Sequence, residues 1–376
     1  MNKLYKKSFS YWYLFPLFVL NLGLLGYPAT TPSEQNDIPQ INFSSSLLAA
    51  DGSFTEQSLP KFLAQAYNEK KLTHPDFSKE ACLKAKKMDV QGSFNTLQLF
   101  LVTATCQPTT ASMYIIKEAK SGLEEAMKLK TIEKYPGMKE LLAPKTPPKG
   151  LPSIALPIAY FSYPSTSGYG LHYIATMPAA KGKVLCQLVN DFRLNQSPQN
   201  AEKIKRAYKI LGVEMGNYHK RFMQPIAGAK IGKTIPHGDF HCFNVFYDEI
   251  GGHFTFIDNE TMAASLNNLQ TPDDDILKLF LGLFSASEPE ARKEIIKGID
   301  LKTWHTLSLK NFIEGYMQAY NAPDQKQVLL DLKKMFNTND QFPWLRIDPK
   351  ELQKLRTNYI NPIFDTIEQE KFGKKK

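Results

Sequence analysis

The stretch that most constrains this chain is His237-Gly238-Asp239-Phe240-His241-Cys242-Phe243-Asn244-Val245, followed by Phe256-Ile257-Asp258. It sets an Asp, an Asn five residues later and a second Asp along an apolar, strand-like run. Residues 245–247 and 253–257 read as two short strands around a turn at 248–252. Such a hairpin brings Asn244 and Asp258 to the same end of a sheet. A carboxylate and an amide oxygen gathered there are hard-oxygen ligands that suit Mg²⁺. Asp239 is then the group that orients a hydroxyl.

The spacing H-x-D-x-x-x-x-N is that of a kinase catalytic loop. Phosphoryl transfer asks a protein for positioning and charge neutralisation more than for covalent chemistry. On that reading Asp239 accepts a hydrogen bond from the acceptor hydroxyl and aligns it with the γ-phosphorus of ATP. Asn244 gives an amide oxygen to one Mg²⁺, and Asp258 bridges metal to phosphate. With glycine in second place, HGD rather than HRD, the chain resembles small-molecule kinases of the aminoglycoside phosphotransferase and choline kinase type. The resemblance covers roughly residues 55–335. It implies an α+β, two-lobed protein-kinase-like fold: a small β-rich lobe, then a larger helical one. Two positions depart from that family's pattern. Cys242-Phe243 stands where small residues such as Pro-Gly are usual, and Asn259 where an aromatic residue usually follows the metal-binding Asp; Glu260 fits the common D-x-E pattern.

The same resemblance assigns the nucleotide side. Residues 97–103 and 113–117 read as strands, and Lys117 ends the apolar run Tyr114-Ile115-Ile116, a context like that of a phosphate-binding lysine. A helix over 122–135 would supply the glutamate that holds it, with Glu124 and Glu125 available and Glu133 preferred. The turn at Gly92 carries Ser93 and Asn95, whose backbone N–H groups would cover the phosphates. Tyr173–Pro178 resembles the segment that joins the lobes, so backbone groups of Ile174 and Thr176 would pair the adenine edge. Asp275-Ile276, at an acidic helix start, matches a pair that buttresses the catalytic loop.

The remaining pattern is organisational. Residues 200–223 carry Ile204, Tyr208, Leu211, Met215 and His219 at helical spacing, which suits a central core helix with His219 packed inside it. Short elements are expected over 74–88 (helix), 154–160 (strand) and 170–176 (strand), and longer helices over 301–322, 324–336 and 349–372. The reading divides the chain into 1–30, a signal peptide or membrane anchor; 31–54, a linker; 55–176, the first lobe; and 177–376, the second. The first segment rests on Lys3, Lys6 and Lys7 before the apolar run 11–25. It predicts export or anchoring, with association at a membrane, and otherwise a cytoplasmic protein.

A net charge of +9 is concentrated between Lys181 and Lys233 and in the Lys-rich tail. It reads either as solvated helix faces or as attraction to an anionic substrate or membrane surface. No basic motif interleaved with aromatic residues appears, so no nucleic-acid partner is expected. Four cysteines lack metal-site spacing. The expected function is ATP- and Mg²⁺-dependent transfer of phosphate to a hydroxyl of a small molecule. The alternatives are a non-catalytic nucleotide- or partner-binding protein of the same fold, and a protein kinase. The lack of an Ala-Pro-Glu motif and of a long segment after Asp258 speaks against the last.

Overall fold

The computed structural model describes residues 38–88, 96–105, 111–119, 122–142, 148–164, 171–286, 294–338 and 342–373. The chain divides into two compact units. One comprises the described residues up to Leu123 together with Ala159–Thr176; the other comprises Glu124–Ile158 and everything from Met177 onward. The class is α+β, with a β-rich unit and a larger helical one.

The first unit is built on a five-stranded sheet of β1 (Leu83–Lys87), β2 (Thr96–Ala104), β3 (Ser112–Ala119), β5 (Ala159–Pro164) and β6 (Leu171–Pro178). Its spatial order is β1-β2-β3-β6-β5, so the last two strands enter in reverse. Strand β2 alternates buried residues with half-buried or exposed ones, the period-2 pattern of a strand with one face in a core. Helix α1 (Ser58–Asn68) buries Leu59, Phe62, Leu63 and Ala66, one stripe at helical spacing. Its start is fixed by Thr55 and Ser58, which exchange backbone-to-hydroxyl hydrogen bonds of 2.8 and 3.0 Å. Phe54, Phe62, Phe161 and Tyr163 pack edge to face in the core beneath.

Several expectations need correction. The stretch 31–54 is no linker where it is described: Ile38, Ile41, Phe43 and Phe54 are buried, and Ile41 N donates to Ser162 O at 2.8 Å beside edge strand β5. A few well-spaced apolar residues suffice to cover an edge, although they make no periodic signal. The helix expected over 74–88 is two single turns, at Pro75–Phe77 and Glu80–Cys82, then β1. Alternating Lys-Ala-Lys suits an edge strand, and Pro75 opens only one turn. The strand expected over 154–160 is split at Pro157: β4 (Ser153–Ile154) belongs to the second unit and β5 to the first. Likewise Glu124–Ile158, placed in the first lobe from sequence, clusters with the second unit. The expected export or membrane anchoring is also corrected. Among the described residues no helix is long and apolar enough to cross a membrane. The run 11–25 lies outside the described residues, and an apolar stretch of that length, broken by Pro16, falls short of the roughly 20 residues a span needs.

The second unit holds a four-stranded sheet, ordered β4-β9-β8-β7, with β7 (Lys183–Val184), β8 (Val245–Asp248) and β9 (His253–Phe256). Around it lie helices α2 (Gly122–Lys134, from Glu124 onward), α3 (Leu185–Leu194) and α4 (Pro198–Arg221). The helix α5 (Asp273–Leu281) follows, then α6 (Asn311–Gln318) and α7 (Gln325–Thr338). Helix α4 starts where its sequence dictates: Ser197 Oγ accepts from Asn200 N, and Pro198 takes the first turn. Its apolar stripe is buried as expected, His219 included. It packs against α6 at backbone contact. A Cβ on Gly212 would lie 2.1 Å from Phe312 O, and one on Gly315 2.1 Å from Lys209 O, so only glycine permits this approach. The helices expected over 301–322 and 349–372 are each interrupted by a π-helical turn, at Thr306–Lys310 and Arg356–Ile360.

Candidate active site

Strands β8 and β9 pair antiparallel, Val245 opposite Phe256. Asn244 therefore precedes one strand and Asp258 follows the other at the same end. The turn closes on Asp248, whose Oδ1 accepts from Ile250 N and Gly251 N at 3.1 and 3.0 Å. Ile257 ties three pieces together. Its N–H donates to Asn244 O at 3.0 Å, and its carbonyl accepts from His237 Nε2 at 2.9 Å. The His237 tautomer follows, because Nδ1 accepts from Asp239 N at 3.3 Å and the proton must sit on Nε2. Burial lowers the pKa of His237 and keeps it neutral.

Glycine is required in second place. Gly238 has φ of +80°, a conformation side chains disfavour, and a Cβ there would sit 3.2 Å from Thr261 Cβ. Thr261 Oγ1 donates to His237 O at 2.6 Å. Underneath, fully buried Asp275 accepts from His237 N at 2.8 Å and Gly238 N at 2.9 Å. His219 of α4 lies 3.4 Å from the same carboxylate and 3.0 Å from Tyr316 OH. The buttress expected at Asp275 thus exists, and the core histidine is part of it.

Asp239 itself faces Asn244, Lys278 and His241. Asn244 Nδ2 donates to Asp239 O at 3.0 Å and to its Oδ2 at 3.2 Å. The Lys278 ammonium lies 2.6 Å from Oδ1, and His241 Nε2 lies 3.4 Å from Oδ2. Because Phe243 N donates to His241 Nδ1, the proton of neutral His241 faces the carboxylate. Burial alone would push the Asp239 carboxyl up. His241 and then Lys278 outweigh it and hold the group well below the ordinary carboxylate range. So strong an acid is a weak base; its suited task is to orient a hydroxyl, which is what a loose phosphoryl-transfer transition state asks for.

The donor set fits a hard cation. Both Asn244 donations use Nδ2, which leaves Oδ1 to serve a metal, and Asp258 adds a carboxylate. Asp258 adopts left-handed backbone, φ 58° and ψ 53°, at a cost on the order of 1 kcal/mol or more. The next residue locks it: buried Asn259 donates Nδ2 to Ala155 O at 2.9 Å and Phe256 O at 3.2 Å. That is the structural use of an Asn where the resembling family has an aromatic ring. Cys242 and Phe243, the other departure, are both buried, and Cys242 O accepts from Cys186 N at 3.0 Å. Among the described residues no group of three or more His, Cys, Asp and Glu forms a metal cluster.

The nucleotide-side candidates divide between the two units. Lys117 is buried on β3 and Ile174 and Thr176 are buried on β6, all in the first unit. Of the three glutamates, Glu133 is exposed near the end of α2, Glu124 pairs with Lys128, and Glu125 is the buried one. Ser93 and Asn95 lie outside the described residues. Sequence reading missed Lys278 and His241. A signal existed for Lys278: it stands three residues after Asp275, on the same helix face.

No protein-family model matches this chain, and no curated protein matches it. One solved structure, described as "WaaP in complex with acyl carrier protein", is similar over 75% of this chain and 92% of its own. The identity is 14% and the TM-score 0.34. At that score the likeness carries no argument, and the assignment of fold rests on strand order and element content.

Proposed function

We propose that this protein is an ATP- and Mg²⁺-dependent phosphotransferase whose acceptor is a hydroxyl of a small molecule. The observation that carries the reading is the joining of Asp239, Asn244 and Asp258 through Ile257: one residue bonds both the loop histidine and the metal-ligand asparagine. Asp239 orients the acceptor hydroxyl. Asn244 and Asp258 would hold Mg²⁺, which neutralises phosphate charge when bound. Lys117 would hold phosphate, and the backbone of Ile174 and Thr176 the adenine edge, with Ser93 and Asn95 in the turn over the phosphates. The non-catalytic alternative is tested by the same experiment. An ATP-turnover screen across hydroxyl-bearing compounds, with wild type and Asp239→Asn side by side, should find turnover lowered roughly 10²–10⁴-fold in the variant. Mg-ATP affinity should stay nearly unchanged. Equal turnover in the two proteins would sink the catalytic reading.

A further inference from the structure

We propose that Cys186 and Cys242 are a modification site, a thiol pair that a hydroperoxide oxidises to a reversible disulfide tying the candidate catalytic loop to α3. Cys242 stands in that loop between His241, which faces Asp239, and Asn244, and it is only 3% exposed. Cys186 is the second residue of α3 and is half-buried; both are reduced thiols. Their backbones meet, Cys186 N donating to Cys242 O at 3.0 Å. A contact of that kind sets two Cα atoms on the order of 5–6 Å apart, inside the span of a disulfide. Val184 pairs with Phe246 just beyond, so the start of α3 is held beside the loop. The two sulfurs also share a neighbour. Burial first, then Cys242 and Cys186, hold the hydroxyl of buried Tyr208 well above its ordinary pKa. Cys82 lies in the first unit.

The chemistry balances through two substitutions at sulfur. The more exposed Cys186 sulfur attacks an oxygen of hydrogen peroxide. The O–O bond breaks, and the departing oxygen leaves as water with the thiol proton, so that Cys186 becomes a sulfenic acid. The Cys242 sulfur then attacks the Cys186 sulfur. The S–O bond breaks, and a second water leaves with the Cys242 proton. The two sulfurs have lost two electrons and the peroxide has gained them. A dithiol reverses the bond by two exchanges. Bonding draws the sulfurs from non-bonded contact, about 3.5–4 Å, to about 2.05 Å. Helix α3 is anchored by buried Leu185, Leu188, Val189 and Phe192, so the turn at 241–244 is the part that gives. Asn244 N closes that turn on His241 O at 2.9 Å, and the Asn244 amide reaches Asp239. Oxidation therefore displaces the groups assigned to the hydroxyl and the metal. That consequence, unlike the disulfide itself, rests on the phosphotransfer reading.

The test uses the whole chain, first reduced and then treated with hydrogen peroxide. Peptide mass spectrometry without reductant should find Cys186 linked to Cys242, and dithiothreitol should release the link. Hydrogen exchange of residues 237–245 should change on oxidation and return on reduction. Calorimetry should show Mg-ATP affinity lower by roughly 10–100-fold in the oxidised protein, the size typical when the support around a metal ligand is lost. Cys186→Ser should bind Mg-ATP as reduced wild type does and stay unchanged after peroxide; Cys186→Ala replaces it if the serine variant does not fold. Oxidation of Cys186 to a sulfinic acid, a link to Cys82 or Cys106 instead, or no oxidation at all overturns the inference. So does a 186–242 link that leaves the affinity or the loop's exchange unaltered, or an equal loss of affinity in the Cys186 variant. Reduced wild type that fails to bind Mg-ATP overturns the phosphotransfer reading alone; the link and the loop's exchange then decide this inference.

Discussion

Two carboxylates, half-buried Asp239 in the second unit and buried Glu118 in the first, are shifted in opposite directions. Asp239 in the second unit is met by the Lys278 ammonium and by His241 and is held well below its ordinary pKa. Glu118 in the first unit accepts from Gln98 Nε2 at 2.8 Å and Tyr163 OH at 3.1 Å, and lies 2.5 Å from His172 Nδ1. There burial dominates over His172 and the neutral donors, and the carboxyl is raised. At Glu118 His172 and the hydrogen bonds of Tyr163 and Gln98 fall short of offsetting burial; at Asp239 His241 and then Lys278 more than offset it. The difference separates a carboxylate kept ionised for chemistry from one that serves as a cross-strand strut, joining β2, β3, β5 and β6.

Four substitutions would break or sharpen this contrast, the largest effect first. Asp258→Ala should weaken Mg-ATP binding by roughly 10³-fold, or about 4 kcal/mol, in a protein that still folds. Calorimetry with and without Mg²⁺ checks it, and unchanged affinity removes Asp258 from the site. Asp275→Ala should cost about 3–5 kcal/mol of stability in urea unfolding, because it leaves the amides of His237 and Gly238 and the His219 ring without their buried acceptor. A loss under about 1 kcal/mol would show the loop to be held from elsewhere.

Glu214, on α4, supplies an intermediate case. It accepts from His253 Nδ1 at 3.1 Å and Phe254 N at 3.0 Å, and burial pushes its carboxyl up to about 7. A raised carboxyl favours folding where it stays protonated in the native state. Its contribution therefore declines as pH rises from about 4.5, the unfolded value, to about 7. Glu214→Gln should flatten that part of the stability–pH curve by on the order of 2–3 kcal/mol; a curve that keeps its slope refutes the assignment. The smallest effect belongs to Glu118→Gln. The amide oxygen can still accept from Gln98 and Tyr163, so the loss should be about 0.5–1.5 kcal/mol. A cost as large as that of Asp275→Ala would mean that Glu118 is ionised and paired, and the contrast with Asp239 would fail.

What the sequence determined by itself is local and periodic. The hairpin around Asp248–Gly252 follows from strand-forming runs on either side of an Asp-Glu-Ile-Gly-Gly turn. The core face of α4 follows from its 3.6-residue stripe, and the acidic start of α5 marked Asp275. Spacing along a chain fixes such features because the interacting residues are neighbours on one element. Lys278 beside Asp239, Trp344 over Lys278 and His219 under the loop depend on side chains 39 to 97 residues apart, and no period records them. The same holds for residues 38–54, where a handful of apolar side chains found a sheet edge to cover. It holds for the break at Pro157, where one apolar run serves two units. Whether Asp239 is ionised was likewise beyond the sequence, since that depends on which charges the packed helices bring within 4 Å of it, and only the tertiary fold decides those distances.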